Sequence, residues 1–248
     1  MIRKHSPRAV INAAAYTAVD YAETHELLAM TINGDAPAAM AKVCGELGIP
    51  LVHISTDYVF DGTGSQPWTH DAPTAPQNAY GRTKLAGEVG VRDIGGPHVI
   101  LRTSRVVSAH GVNFVKTMLR LGAKREALDV VVDQIGGPTT ARAIAATCHA
   151  ITLQLIADHD KSGTYHFAGT PDCSWANFSR AIYKAAGLTC IVTDIPSSAY
   201  STPAVRPTNS RLDCSSLMTT FAIPRPYWKE GLKEIIKDLN NNTKKFEL

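Results

Sequence analysis

Leu51-Val52-His53-Ile54-Ser55-Thr56-Asp57-Tyr58 reads as a buried strand that runs out into hydroxyl and acidic side chains. A loop rich in Gly, Pro and Thr follows over residues 61–78, and a helix opens near Tyr80. At that length the loop reads as functional rather than as a connector. Outward from this stretch the same alternation recurs. Apolar runs at 9–14, 51–54, 99–101 and 128–132 are separated by segments with helical apolar spacing, such as 23–30 and 37–47. Pro37 is tolerated in a first turn and Gly48 is a stop. Strands alternating with helices predict an α/β fold, a parallel sheet covered by helices. Beyond residue 133 the pattern changes to a helix at 140–156, a short strand at 165–167, a helix from Trp175 capped by Ser174, a strand at 190–193, a Pro-rich connector and a last helix at 227–239. Asn240-Asn241-Asn242 reads as a frayed tail.

Tyr80-Gly81-Arg82-Thr83-Lys84 sets a phenol and an ammonium four positions apart on one helix face. A phenol with a pKa of about 10 is a poor acid near neutrality, and a neighbouring ammonium favours its ionised form. Alone, the spacing equally describes an exposed aromatic beside a solvated lysine. Placed after a strand that carries a hydroxyl at its carboxyl end, it puts three groups around one crevice of an α/β sheet, where such folds bind ligands. A hydroxyl would polarise a carbonyl, Tyr80 would protonate it and Lys84 would tune Tyr80. Strand alternation lets only one of Ser55 and Thr56 face the crevice.

This constellation resembles that of the short-chain dehydrogenase/reductases. Longer strings narrow the likeness: residues 52–62, Val-His-Ile-Ser-Thr-Asp-Tyr-Val-Phe-Asp-Gly; residues 80–88, Tyr-Gly-Arg-Thr-Lys-Leu-Ala-Gly-Glu; and Leu101-Arg102-Thr103-Ser104. With residues 113–120, Asp133-Gln134 and Arg206-Pro207-Thr208-Asn209-Ser210-Arg211-Leu212, they resemble the dTDP-4-dehydrorhamnose reductase family over nearly the whole chain. The resemblance implies a truncated doubly wound, Rossmann-like parallel sheet with a smaller α/β substrate-binding lobe. Residues 1–132 would form a partial dinucleotide-binding domain with the catalytic groups, and 133–248 mostly the substrate lobe, interleaved with the sheet. It implies reduction of the C4 carbonyl of dTDP-4-dehydro-L-rhamnose by NADPH or NADH, within nucleotide-sugar and cell-surface polysaccharide biosynthesis. It selects Thr56, with Tyr80 and Lys84, as catalytic. Asn12, Ala13, Ala14, Arg102 and Thr103 would join Tyr80 and Lys84 around the cofactor. Asp57, Tyr58, Arg105, Asn113, Gln134, Arg206 and Asn209 would meet the nucleotide sugar, amides reading base or sugar and a guanidinium pairing with diphosphate. Asp57 as a mere turn cap is the plainer alternative. The chain departs from the family at Arg105, where a Trp is usual, so an aromatic plane beside the sugar is replaced by a guanidinium.

The likeness begins in mid-fold. Asn12-Ala13-Ala14-Ala15-Tyr16 resembles the family's fourth strand and the turn beneath the cofactor, and residues 1–8 contain no glycine. The glycine-rich strand-turn-helix that cradles a pyrophosphate is therefore expected to be lacking, with on the order of 50 residues around it. A gene fragment, a misplaced start and a natural truncation are three explanations. The 248 residues alone are expected to show little reductase activity and to leave the 9–14 strand on an open sheet edge. A non-catalytic subunit resembling the methionine adenosyltransferase β subunit and an inactive remnant are the rival readings. The residue that selects NADH or NADPH would lie in the lacking part.

With 25 basic and 22 acidic side chains, scattered rather than clustered, the chain is not marked for nucleic acid. Five cysteines, odd in number and without a Cys-x-x-Cys pair, point to a reducing compartment, and no apolar run spans a bilayer. A cytoplasmic protein without a metal site is expected, and the resemblance allows a homodimer. His53 and His166, flanked by apolar residues, read as hydrogen-bonded core residues.

Overall fold

The computed structural model describes residues 1–244. Four strands, β1 (Val10–Asn12), β2 (Leu51–Thr56), β3 (His98–Thr103) and β5 (Gly163–His166), form a parallel sheet in the order β1-β2-β3-β5. Strand alternation divides its side chains between two helical layers. Leu51 and Ile100 pack with Ala41, Cys44 and Val91 of the helices Ala36–Leu47 and Ala79–Ile94. On the other face Val52, Val99 and Leu101 meet Ile144, Cys148, Ile151 and Leu155 of the helix Ala141–Ala157. The sheet is α/β and Rossmann-like, as the sequence predicts. β1 lies at its edge with Ile11 44% exposed.

Three elements differ from their sequence expectations. The 128–132 run belongs to the lobe: β4 (Ala127–Val131) pairs in parallel with β6 (Ile191–Ile195), apart from the four-stranded sheet. Its Val130 packs with Val192, Phe178 and Ile182 in the lobe core, and this burial decides the placement. Pro37 lies in the first turn of Ala36–Leu47, as expected, but that helix is not separate from the one before it. Glu26–Met30 passes through a π-helical turn, Thr31–Asp35, directly into Ala36–Leu47. Pro lacks an N–H and crowds the carbonyl four residues back, and the wider turn before it absorbs both defects. The carbonyl concerned, that of Asn33, comes so close to Gly87 that a Cβ there would stand 2.1 Å from it, so glycine is required for the two helices to pack. Finally, Asn240-Asn241-Asn242 is no frayed tail, because the last helix is Trp228–Lys244. Each Asn costs under about 0.7 kcal/mol against Ala in a helix, too little to stop it.

The site is positioned where β2 ends. Thr56 Oγ1 accepts the Tyr58 amide at 3.2 Å and caps a 3₁₀ turn, Asp57–Val59. Asn78 caps the next helix by accepting Gly81 N at 2.8 Å, which fixes the first turn where Tyr80 sits. A Cβ on Gly81 would stand 2.2 Å from the Tyr58 carbonyl, so the Tyr80 turn lies directly against the Thr56 turn.

Candidate active site

Tyr80 is half-buried, with its ring edge-on to Tyr58 at 5.5 Å. Burial raises its pKa, a hydrogen bond with Thr56 opposes that, and the nearby Asp57 and Tyr58 raise it further. Thr56, 5% exposed, donates to Asp57 Oδ1 at 3.1 Å. Asp57 is buried, and burial pushes its carboxyl up to about 6 against hydrogen bonds from Ser210 and Thr56 and the charge of Arg105. Three proton-bearing groups are thus linked at the carboxyl end of β2, the crevice position of such folds.

Lys84 corrects one expectation. Its ammonium acts on His53 rather than on Tyr80, and the Tyr80 pKa is raised, not lowered. The cause lies in β1. Val10 N donates to Pro50 O at 2.9 Å, but two residues past Asn12 the ladder stops, because Ala14 N turns to Asn12 Oδ1 at 3.1 Å. The Ile54 carbonyl beyond is left to Lys84 Nζ, which donates to it at 2.6 Å. Only 2% exposed, Lys84 is lowered to about 8 by burial, with Glu88 opposing. Above about 8 the folded chain sheds this proton while the unfolded chain keeps it to about 10.5, so the Lys84 contribution to stability improves as pH rises through that window. Urea unfolding of wild type and Lys84→Met at about pH 7.5 and about pH 9.5 checks this. Wild type should gain on the variant at the higher pH, and a constant difference would contradict the assignment.

The other candidates divide. Ala13 and Ala14 are exposed beyond β1, small enough to let a ligand approach the backbone. Asn12 is buried, its Nδ2 against His53 Nδ1 at 3.1 Å. Thr103, the register partner of Thr56, is buried with its hydroxyl unpaired. Tyr58 receives Arg206 Nη1 at 3.5 Å, while Arg206 Nη2 is paired with Asp20 at 2.6 Å. Gln134 donates to Ser197 Oγ at 3.1 Å. Arg105, at a positive φ of 50°, lies 4.2 Å over the Trp175 ring and donates to Cys173 O at 2.7 Å. Burial lowers its pKa to about 10.

Three residues have other duties than those expected. Arg102 points away from the crevice into a buried two-pronged pair with Glu88, Nε to Oε1 at 2.9 Å and Nη2 to Oε2 at 2.7 Å. Asn113 caps the helix Phe114–Gly122 and spends its amide on the Ser108 and His110 carbonyls. Asn209, 1% exposed, pins the 61–78 loop through the Thr63 and Gln66 carbonyls. Sequence reasoning missed Glu88, Ser210 and Trp175. Glu88 could have been noticed as the next residue, after Tyr80 and Lys84, on the same helix stripe.

The unpaired Thr103 hydroxyl, the small residues at 13–14 and the Tyr80 hydroxyl fit the nicotinamide and ribose end of a dinucleotide. Among the described residues, the segment from β1 into the short helix Val19–Ala22 has no glycine, so the pyrophosphate cradle is not found there.

Sheet, strand-end hydroxyl and Tyr/Lys helix together define a short-chain dehydrogenase/reductase. The sequence matches the family described as RmlD substrate binding domain over residues 1–241. It is 41% identical to dTDP-4-dehydrorhamnose reductase of Salmonella typhimurium, covering 98% of this chain and 83% of that protein. To the enzyme of that name from Sinorhizobium fredii it is also 41% identical, over 95% of this chain and 81% of the relative. The fold superposes on a Clostridium acetobutylicum dTDP-4-dehydrorhamnose reductase with a TM-score of 0.89 at 38% identity, covering 96% of this chain and 83% of the other. A Bacillus anthracis dTDP-4-dehydrorhamnose reductase in complex with NADP gives 0.88 at 35% identity and the same coverage. The chain belongs to the dTDP-4-dehydrorhamnose reductase family.

Proposed function

We propose that this protein reduces the C4 carbonyl of dTDP-4-dehydro-L-rhamnose to give dTDP-L-rhamnose, with NADPH or NADH as reductant. The observation that carries the reading is the Thr56 and Tyr80 hydroxyl pair at the end of β2, with Lys84 buried beneath it, in a chain of this family. The nicotinamide, when bound, supplies the hydride. Tyr80 gives its proton to the oxygen as charge develops there, and Thr56 fixes that oxygen by hydrogen bonding. Lys84 and residues 12–14 would hold the nicotinamide ribose in this reading. Arg206 leaves Asp20 for the diphosphate, and Tyr58, Arg105 and Gln134 line the sugar side. Residues up to the end of β3 carry the cofactor and the catalytic groups, and the later residues mostly the substrate lobe, with β5 and the helix Ala141–Ala157 returning to the sheet. Membership of a nucleotide-sugar reductase family and five unpaired cysteines support a cytoplasmic place. No described helix is long and apolar enough to cross a membrane, and no described cluster of His, Cys, Asp and Glu would hold a metal ion.

The test is consumption of NADPH, dependent on dTDP-4-dehydro-L-rhamnose, by the chain joined to a relative's glycine-rich strand-turn-helix, since the described residues from β1 to Val19–Ala22 hold no pyrophosphate cradle. Turnover with formation of dTDP-L-rhamnose is expected. Binding of the nucleotide sugar without turnover at any pH would replace the reductase by a binding subunit.

A further inference from the structure

Thr56 has one hydroxyl proton, and in this structure it is given to Asp57 Oδ1 at 3.1 Å. Its oxygen accepts the Tyr58 amide at 3.2 Å and is hydrogen-bonded to Tyr80. A threonine so engaged has nothing left to offer a substrate carbonyl, because a hydroxyl supplies one proton and two lone pairs. The hydroxyl proton can turn to a substrate oxygen, but that leaves the buried Asp57 carboxylate one hydrogen bond short, a cost that is removed when Asp57 becomes the donor. We propose that Asp57 acts in the reacting complex as a neutral carboxylic acid, donating to Thr56 Oγ1 and so releasing the Thr56 proton to the substrate oxygen. The lone pairs of Thr56 are then filled by the Tyr58 amide and the Asp57 O–H, and its proton and that of Tyr80 converge on the same oxygen. Asp57 is a positioning residue in this scheme: no bond to it or to Thr56 is broken, and the only proton that leaves the protein comes from Tyr80.

The surroundings of Asp57 suit a carboxyl that is neutral part of the time. It is 3% exposed, and among the described residues it forms no salt bridge. Arg105, the charged group that faces it from the segment after β3, is held elsewhere by the Cys173 carbonyl and the Trp175 ring. Tyr58 beside it and Tyr80 from the facing helix are phenols whose own pKa values are raised. Arg206 acts on Tyr58 and is paired with Asp20. Ser210 donates to the carboxyl, a bond that an amide oxygen also accepts.

This inference rests on the proposed reductase reading, and its test separates the two. In the pH profile of kcat, wild type should fall as pH rises from about 6 toward about 8, because ionised Asp57 reclaims the Thr56 proton. Asp57→Asn, whose amide N–H donates to Thr56 at every pH, should lose that limb and exceed wild type at about pH 7 by roughly tenfold, the span of about one pH unit of titration above about 6. Asp57→Ala should be slow throughout. An Asp57→Asn variant that keeps the wild-type limb, or is as slow as Asp57→Ala, overturns the proposal. Infrared difference spectra of the free protein read the same group without turnover. A protonated-carboxyl band should titrate near about 6 in wild type and be missing from Asp57→Asn, and its absence from wild type also overturns the proposal. A wild type that shows the band but no reduction at any pH removes the reductase reading alone.

Discussion

Tyr80→Phe lowers kcat by about 10²- to 10⁴-fold, the usual worth of a positioned proton donor, while cofactor binding stays close to wild type. The ring carries the packing. It lies edge-on to Tyr58 at 5.5 Å and against the small residues Ala22, Ala29 and Ala79, and phenylalanine reproduces all of this. What is lost is one hydroxyl, with its hydrogen bond to Thr56. The raised Tyr80 pKa means that in the free protein the phenol carries its proton throughout the neutral range, so reduction starts with the donor loaded. A kcat near the wild-type value at saturating substrate would assign the proton to another group. A large loss accompanied by weak cofactor binding would mean instead that the ring had moved.

The Tyr80 result tests the part of the site that was legible in the sequence. Tyr80 and Lys84 share a helix face by spacing alone, and Thr56 lies where an apolar run meets polar residues, so local periodicity brings the three together. What each group does to its neighbours is less local. Lys84 was expected to depress the Tyr80 pKa, yet it reaches the Ile54 carbonyl because β1 stops at Asn12, a length set by one side-chain hydrogen bond to Ala14 N. Asn113 and Asn209 have the hydrogen-bonding capacity of ligand contacts, and the sequence does not say whether a substrate or the backbone takes it. In this structure the backbone does, through a helix cap in one case and a pinned loop in the other. The 128–132 run is as apolar as the sheet strands, but its pairing is chosen by lobe residues more than 40 positions away, beyond the reach of any local pattern.

Arg102 shows the same limit with the largest energetic consequence. Its side chain and that of Ser55 are register partners on one sheet face, and both meet Glu88, which also accepts Arg92 Nη1 at 3.1 Å. Glu88 is wholly buried and the Arg102 side chain is 3% exposed. Burial alone would raise the Glu88 pKa, but the Arg102 hydrogen bonds and charge, with the Ser55 bond, hold it below its usual 4.5. Its stabilising contribution is therefore present above about 4.5 and is lost as pH falls through the lower folded value. Glu88→Ala leaves a guanidinium in the core without its carboxylate, which costs about 3–5 kcal/mol. Replacing both partners, Glu88→Leu with Arg102→Met, removes the stranded charge as well and should recover much of that loss. Urea unfolding of the two proteins beside wild type decides the matter. A Glu88→Ala loss under about 1 kcal/mol would mean that water reaches the guanidinium. The single variant should also slow catalysis, because Arg102 Nη1 holds the His70 carbonyl at 3.0 Å and so ties the 61–78 loop to the sheet beneath the Thr56 turn. If the double variant regains stability but not kcat, the role of the pair lies in that tether. Recovery of both would mean that packing around the pair is enough to hold the loop.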